Sequence, residues 1–426
     1  MKPTCTSTTL GVGLIAVAFA APPVWAGGIA LYEIGTADVG LASAGYAARA
    51  QDASTLFKNP AGMSQLGTPQ LQAGLQLLYG DVEFNKDSDG TGPLLRDDSS
   101  GGNAIGALPG LSLFYVHPLS EKAAVGFGSL SYFGLAEDFG DDWVGRYYVQ
   151  KGSLLGMSLM PAASYKVTDW LSIGAGFNAM FGYLDTEVAV RQLTSSDGQM
   201  KVKDNTWGFG ANAGVLIEPV KGTRIGLTYL SPVDLNFKDK PGFKGLNPAG
   251  LGALPLLRNP PKLNLGVTVP QMVMAGVYHE LNEKWAIMAD VGWQNWKALG
   301  KVDVQVDSAD AAGLTTKLDY KDTWHGAAGV QFKPNGRWQF SGGLAYDSSA
   351  VSDSNRTLSL PMGEAYRFGL GAIYRWKENV DLGFGYEFMW LGDMPVVQES
   401  VYRGRVSGSF DNSWFSFLSG NVTWRF

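Results

Sequence analysis

The stretch DLGFGYEFMW, residues 381–390, alternates large apolar side chains with small or charged ones. Its apolar positions are Leu382, Phe384, Tyr386, Phe388 and Trp390, opposed by Asp381, Gly383, Gly385 and Glu387. Successive side chains of a β-strand point to opposite faces, so this period of two predicts a strand. The same alternation occurs in residues 70–84, 366–376 and 418–426. An aromatic-rich apolar face repeated on strand after strand predicts lipid on one side and a lumen on the other. A soluble β-sandwich also alternates, but it would have to bury that face against a second sheet.

Short and long connections alternate between these segments. Short ones, rich in turn-forming or charged residues, fall at 118–122, 168–169, 218–222, 282–284, 333–337 and 377–379. Long ones fall at 85–108, 134–150, 191–203, 239–262, 307–319, 349–363 and about 392–410. We therefore predict an all-β fold, a 14-stranded antiparallel transmembrane β-barrel over residues 68–426. An even strand count places both barrel ends on the side of the short turns, which is the periplasmic side in outer-membrane barrels. The terminal Phe426 suits a barrel-assembly signal.

The first 26 residues predict export. Lys2, an apolar stretch over 10–21 and the small residues around Ala26 form the pattern of a signal peptide. The apolar stretch is too short for a membrane-spanning anchor. Cys5 is the only cysteine and leaves with the signal, so we expect no disulfide and no cysteine–metal site.

Composition fits one large exported barrel. Charged residues make up only 17% of the chain, while aromatic residues reach 12%. The net charge of −6 argues against a nucleic-acid partner. A single barrel accounts for the 426 residues without a visible linker.

Residues 27–67 lack strand alternation and are rich in Ala and Gly. Such a segment could be a disordered tail, a periplasmic arm or a plug inside the barrel. Its apolar content, including Ile29, Leu31, Leu56 and Phe57, argues against a disordered tail. A barrel of fourteen strands has a lumen too wide for its own side chains to fill. We therefore predict that this segment is a small N-terminal plug inside the barrel.

The heptapeptide FKNPAGM, residues 57–63, resembles the Asn-Pro-Ala hatch signature of the FadL-type family of outer-membrane long-chain fatty-acid and hydrocarbon channels. Further segments are similar to that family. They are Val125–Gly128 with Phe133–Phe139, Trp207–Gly214, Pro270–Met272, Trp285–Ile287, and the stretch with Asp347, Asn355, Arg356 and Pro361. The resemblance runs from the mature N-terminus to the C-terminus.

The resemblance implies a channel closed by an N-terminal hatch. Hydrophobic ligands would be captured at extracellular loops, bound in the lumen, and released sideways through a gap where the third strand kinks inward. Here that strand would be residues 122–133, with Gly126 and Gly128 available to bend it and Asn59, Pro60 and Ala61 as the facing hatch corner. Ordinary barrel packing is the alternative role of those glycines.

The resemblance also implies ligand contacts. Lys321 matches a lysine that contacts the ligand carboxylate, Arg146 matches an arginine of similar role, and Ile29 matches an apolar hatch residue of the pocket. A cation beside an apolar pocket would hold a carboxylate by a charge-assisted hydrogen bond. The alternative is salt bridging, Lys321 with Asp322, or Arg146 with Glu137, Asp141 or Asp142.

The connection 239–262 is unusually apolar for a water-facing loop. Exposed apolar patches mark binding surfaces, so we expect a capture groove, while a loop that only folds inward and packs is the alternative. Its expected ligand-contacting residues are Leu246, Leu251, Leu254 and Leu257.

Two other function classes fit less well. An outer-membrane phospholipase needs a nucleophile–base pair, and the three histidines His117, His279 and His325 offer no such spacing. A general diffusion porin would have an open, charge-lined lumen and no hatch. We expect no enzyme activity, no cofactor and no metal site.

The expected function is uptake across the outer membrane of a Gram-negative bacterium. The ligand is a long-chain fatty acid or similar hydrophobic molecule, with aromatic or alkane hydrocarbons as the alternative. The expected partners are this ligand, outer-membrane lipid and lipopolysaccharide, and we expect a monomer without nucleic acid.

Overall fold

The computed structural model describes residues 31–92, 95, 98–192, 196–248, 255–299, 301–306, 314–359, 361–401 and 403–426. The expected signal peptide, Ile29, Leu251 and Leu254 lie outside the described residues.

Twenty strands occur in the described part of the chain. They are β1 (Gln70–Asp81), β2 (Phe84–Lys86), β3 (Gly106–Pro118), β4 (Ala123–Asp138), β5 (Lys151–Lys166), β6 (Leu171–Val190), β7 (Gly198–Val220), β8 (Thr223–Leu230), β9 (Val233–Asp239), β10 (Gly242–Lys244), β11 (Leu263–Val269), β12 (Met272–Glu280), β13 (Trp285–Gln294), β14 (Lys301–Val306), β15 (Leu314–Lys317), β16 (Thr323–Phe332), β17 (Trp338–Asp347), β18 (Ala365–Lys377), β19 (Val380–Ser400) and β20 (Gly404–Arg425). Short helices are α1 (Thr36–Val39), α2 (Thr55–Lys58), α3 (Pro255–Arg258) and α4 (Trp296–Leu299), with 3₁₀ turns at Pro60–Gln65 and Asp353–Asn355.

Fourteen of these described strands form a closed antiparallel barrel. Its order is β1, β3 to β8, β12, β13 and β16 to β20, and β20 returns to pair with β1 from Gln70 to Asp81. The predicted 14-stranded barrel is therefore confirmed, and each predicted short turn joins two neighbouring barrel strands.

Side chains alternate across the barrel wall as the sequence predicts. Phe384, Tyr386 and Trp390 of β19 point outward, whereas Asp381 and Glu387 are buried on the lumen side. Outward apolar side chains on the other strands complete the lipid-facing band. No helix within the described ranges is long and apolar enough to cross a membrane.

Several predicted long loops are wrong in extent. Residues 134–138 belong to β4, residues 198–203 belong to β7, and β19 and β20 continue pairing as far as Ser400 and Gly404. Strand pairing supplies the backbone hydrogen bonds that an open loop would have to find in water, so these hairpins extend past the barrel rim.

The connection between β8 and β12 leaves the barrel earlier than predicted. Pro232 and Pro270 stand at the two departure points, where the missing N–H groups interrupt the barrel ladder. Between them, β9 and β11 pair with each other and then with β14 and β15 as a separate four-stranded inner sheet. Val233 and Leu235 of β9 pack onto the inner wall at Gly208 of β7.

The described part of the N-terminal segment, residues 31–66, lies inside the barrel and is almost entirely buried. Inward-facing glycines allow its backbone to touch the wall. A β-carbon at Gly226 would overlap the Ala47 carbonyl oxygen, and one at Gly343 would overlap that of Leu41. The glycines therefore allow the hatch backbone to pack directly on the barrel wall. The boundary between hatch and barrel at residue 67 stays a prediction.

A carboxylate of the barrel wall also binds the hatch backbone. Asp290 of β13 accepts hydrogen bonds from the backbone N–H groups of Gly45, Tyr46 (3.1 Å) and Ala47 (3.1 Å). Inside the hatch, buried Asp38 is paired with Arg49 and Lys58 (2.8 Å). These buried charges are therefore paired within the hatch itself.

Candidate functional site

A cavity lies in the lumen between the hatch and the wall. It contains about 760 Å³ of space between atoms, part of it open to solvent. Most of its lining is apolar, contributed by Val82, Ile105, Trp296, Ala350, Pro361, Met362, Ala365, Met389, Leu391 and Phe415. Tyr32 of the hatch closes one side. A concave, mainly apolar site suits a hydrophobic ligand.

One guanidinium reaches this cavity, that of Arg367 on β18. It is buried and meets three carboxylates: Asp347 (Nε to Oδ2, 2.6 Å), Glu387 (Nη1 to Oε1, 3.3 Å) and Glu33 of the hatch. We call these four residues the Arg367 cluster. His325 extends it by a 2.7 Å contact between Nδ1 and Asp347 Oδ1. Three carboxylates surround this one guanidinium, so its positive charge is already compensated and does not attract the carboxylate of a ligand.

Lys321 lies beside the cavity and does not line it. Its backbone N–H donates to the carbonyl of Ala350 (2.7 Å), a lining residue, while its side chain is exposed. Among the described residues, the Lys321 ammonium has no ion-pair partner. Asp322, its expected alternative partner, instead pairs with Lys297 (3.7 Å). Lys321 is therefore an uncommitted cation next to the cavity.

Arg146 is fully engaged. Its guanidinium pairs with Asp98 and with Asp197 (Nε to Oδ2, 2.9 Å), and Asp197 also accepts from the Tyr147 hydroxyl (2.7 Å). Burial opposes the charge of Arg146, but these hydrogen bonds outweigh it and raise its pKa. Burial, helped by Asp197, raises the pKa of Tyr147 to about 12. Arg146 thus links three extracellular connections. Its partners Asp98 and Asp197 differ from Glu137, Asp141 and Asp142, the carboxylates that the sequence suggested.

The barrel wall is interrupted between β3 and β4. Their ladder runs from Pro118 opposite Ala124 to Ser112 opposite Leu130 and ends there. Beyond that point β3 pairs with β1 and β4 pairs with β5. The strands meet again where Asp138 N–H donates to Ala104 carbonyl (2.8 Å). We call the gap between residues 106–111 and 131–137 the wall window. Pro109, which has no N–H to donate, lies on its edge.

A β-bulge in β4 lies directly after the point where the ladder with β3 ends. The pairing with β5 shifts between Ser131 and Phe133, so one extra residue is inserted. Phe127, before the bulge, is 43% exposed on the lipid side, whereas Phe133, after it, is 1% exposed. A one-residue shift exchanges the two faces of a strand, and a bulge bends it. The predicted third strand, 122–133, is therefore longer and changes face at its middle.

The extra residue at the bulge, Tyr132, connects the bent strand to the hatch. Its carbonyl accepts from Leu31 N–H (2.8 Å), and its ring lies 4.9 Å from that of Phe57. Its hydroxyl accepts from Asn178 Nδ2 on β6 (2.9 Å). The bulge at the edge of the wall window is thus attached to the hatch and to β6.

The expected contact of the Asn-Pro-Ala corner with Gly126 and Gly128 is wrong in its partners. Leu56 packs against both glycines, and Met63 packs against Gly126. Asn59 instead donates to the carbonyls of Ala47 (2.7 Å) and Val215 (3.0 Å).

The next two hatch residues, Pro60 and Ala61, lie against Gly174 of β6. The Asn59–Ala61 corner therefore packs against β6 and β7, whereas the preceding helix α2 packs against β4. The helix α2 ends at Lys58 and Asn59 has an extended backbone, which turns the chain away from β4 towards β6 and β7.

Two of the four expected capture leucines are described. Leu246 packs over Gly198 at the start of β7, and Leu257 is half-buried against the hydrophobic core. Their role in capture stays a prediction.

Sequence reasoning missed two functional features. Parity placed Arg367 in the lumen, but its partner Glu33 lies 334 positions away. Tyr132 carries no motif, and because Tyr132 and Phe133 are both buried, the alternation of aromatic residues does not reveal the extra residue.

Comparisons with known proteins agree with this geometry. The family described as outer membrane protein transport protein (OMPP1/FadL/TodX) matches residues 17–426. A long-chain fatty acid transport protein of Escherichia coli strain CFT073 is 27% identical, over 95% of this chain and 96% of that protein. A FadL homologue of Pseudomonas aeruginosa superposes with a TM-score of 0.81 at 21% identity, over 92% of this chain and 98% of that one. The Ralstonia pickettii toluene transporter TbuX superposes with a TM-score of 0.66 at 18% identity, over 93% and 99%. The chain belongs to the outer membrane protein transport family (OMPP1/FadL/TodX), and it is an outer-membrane channel for hydrophobic compounds and no enzyme.

Proposed function

We propose that this channel takes up long-chain fatty acids and releases them sideways through the wall window. The observation that carries the proposal is the ladder break between β3 and β4 beside an apolar cavity. Ile105 lines the cavity and directly precedes Gly106, where the window begins. An apolar chain gains about 0.8 kcal/mol for each buried CH₂, so a route between apolar surfaces is favoured over a watery pore.

The fatty-acid proposal rests on the position of Lys321. The acyl chain would lie in the cavity and the carboxylate would reach the exposed ammonium of Lys321, whose backbone N–H donates to the carbonyl of the lining residue Ala350. The E. coli relative, named a long-chain fatty acid transport protein, supports this choice. The apolar loop 239–262 would serve initial capture, and Arg146 would stabilise the extracellular loops.

A second candidate ligand is an uncharged hydrocarbon. It is favoured by the Arg367 cluster, since the cation on the cavity wall is already surrounded by carboxylates. A carboxylate placed deep in the cavity would be repelled. The toluene transporter among the structural neighbours supports this alternative.

Filling the cavity tests where the ligand binds. Ala350→Trp places an indole in the apolar space, so we expect palmitate and hexadecane to bind the purified protein about tenfold more weakly, the cost of an overpacked site. Leu344→Trp is the matched control, because Leu344 faces lipid on neighbouring β17. Equal binding by both variants would place the ligand elsewhere.

The headgroup is tested at Lys321. We expect Lys321→Ala to weaken palmitate binding about tenfold, since a hydrogen bond to a charged group contributes about 1.5–3 kcal/mol, and to leave hexadecane unchanged. Lys284→Ala is the control, because Lys284 is an exposed lysine on the turn between β12 and β13, at the opposite end of the barrel from Lys321. Equal loss for both ligands would make Lys321 structural, and a wild type that prefers hexadecane would favour the hydrocarbon candidate.

A further inference from the structure

A second cavity opens at the periplasmic end of the lumen, below the hatch. It contains about 1100 Å³ of space between atoms, part of it open to solvent. Hatch residues Gln51 and Asp52 form its inner end, and β17 to β20 with β1 form its walls. It lies outside the proposed ligand route from the lumen cavity to the wall window. We call it the periplasmic vestibule.

The vestibule carries an excess of positive charge. Lys333, Arg337, Arg375 and Arg425 line it, against the two carboxylates Asp52 and Asp381, a formal excess of +2. Both carboxylates are committed. Asp381 pairs with Arg425 and, at 3.6 Å, with Arg375, while Asp52 accepts from Ser54 N–H (3.0 Å). Within the described residues, the side chains of Lys333 and Arg337 have no ion-pair partner.

Two of these cations are neighbours on adjacent strands. Arg375 N–H donates to the Arg337 carbonyl (2.8 Å), just before Trp338 pairs with Tyr374. Both side chains line the same cavity. Like charges side by side on a sheet are unfavourable unless an anion lies between them. Guanidinium groups bind carboxylate and phosphate oxygens well, and Arg375 is held only loosely by Asp381, at 3.6 Å from Nε.

We propose that the periplasmic vestibule is an oxyanion-binding site in which Arg337, Arg375 and Lys333 hold a carboxylate or phosphate group. Neutral donors on its wall, Asn335 and Gln339, add hydrogen-bonding capacity without opposing charge. Such a group reaches the site from the periplasm, as the end of an acyl chain or as a free small ion.

The test is calorimetric titration of the purified full chain, in non-ionic detergent at low salt, with inorganic phosphate, acetate and hexanoate. We expect binding that weakens as salt is added, since the site is partly exposed. Arg337→Gln and, separately, Lys333→Gln should each weaken it about tenfold. Lys284→Gln, on a neighbouring periplasmic turn outside the vestibule, should not change it.

The three probes distinguish the source of the anion. Hexanoate binding more tightly than acetate would support an acyl carboxylate, and phosphate binding most tightly would support a free ion. Each variant is first checked for heat-modifiable migration as a folded barrel. Absence of binding by all three anions, or an equal loss in Lys284→Gln, would overturn the proposal. Neither result would bear on the lumen cavity, so failure here is separable from failure of the proposed function.

Discussion

Deletion of Tyr132 is expected to reduce uptake of labelled palmitate to the level of cells that lack the protein. Tyr132 is the extra residue of the β4 bulge, between Ser131 opposite Met157 and Phe133 opposite Gly156. Removing it restores one-to-one pairing and keeps every other side chain of β4 on its present face. A straight β4 can then continue its ladder with residues 106–111 of β3, which closes the wall window.

The deletion also removes the Tyr132 contacts with Phe57 and Asn178, so a matched control is needed. Tyr132→Ala loses the same side chain but keeps the bulge, and we expect it to retain most of its uptake. Heat-modifiable migration and surface labelling show that both variants reach the membrane in equal amounts. Normal palmitate uptake by the deletion variant would show that the ligand does not leave through the wall window. An equal loss of uptake in the deletion and in Tyr132→Ala would assign the effect to the Tyr132 side chain.

Much of the barrel follows from the sequence because lipid acts on one face of each strand. An outward position must be apolar, as at Phe384 and Tyr386, while an inward one is free to be Gly383 or Glu387. The short turns are equally predictable from the sequence, since a reversal of the chain requires turn-forming residues. Hatch placement was predictable from lumen width and from the resemblance at residues 57–63.

The wall window was harder to predict, because its sequence signal is weak. A bulge exchanges the faces of a strand, and this exchange is visible only where one face is polar. Around the β4 bulge both Tyr132 and Phe133 are buried, so the aromatic pattern does not record the shift. Pro232 and Pro270 did mark the departure of β9 and β11, but alternation on both sides of each proline hid the change of sheet.

The charges of the lumen depend on tertiary contacts between distant segments. Parity alone places Arg367 inward, yet its engagement with Glu33 depends on how deep the hatch lies. The same holds for Lys321, whose availability follows from Asp322 pairing with Lys297. A list of lumen cations therefore does not identify the cation that binds ligand.

Replacement of Arg367 is expected to produce the largest loss of stability. Arg367→Met removes the one cation of the Arg367 cluster and leaves the buried Glu33 and Glu387 beside the half-buried Asp347. Breaking a buried ion pair from one side costs about 3–5 kcal/mol, because the remaining charge is uncompensated. Glu33 belongs to the hatch, so we expect the hatch to detach first. Protease cleavage within residues 31–66 should appear at denaturant concentrations where the barrel of the parent protein is still closed.

A second change on the same strand separates this effect from simple loss of an arginine. Arg375→Met removes an exposed guanidinium of β18, and an exposed pair contributes at most about 1 kcal/mol, so its hatch should stay protected. Adding Glu387→Gln to Arg367→Met removes one of the stranded carboxylates and should recover part of the loss. If Arg367→Met and Arg375→Met are equally protected from protease, the cluster does not fasten the hatch. If the double variant recovers nothing, the loss comes from packing around Tyr32, whose ring lies 5.5 Å from the guanidinium, and not from uncompensated charge.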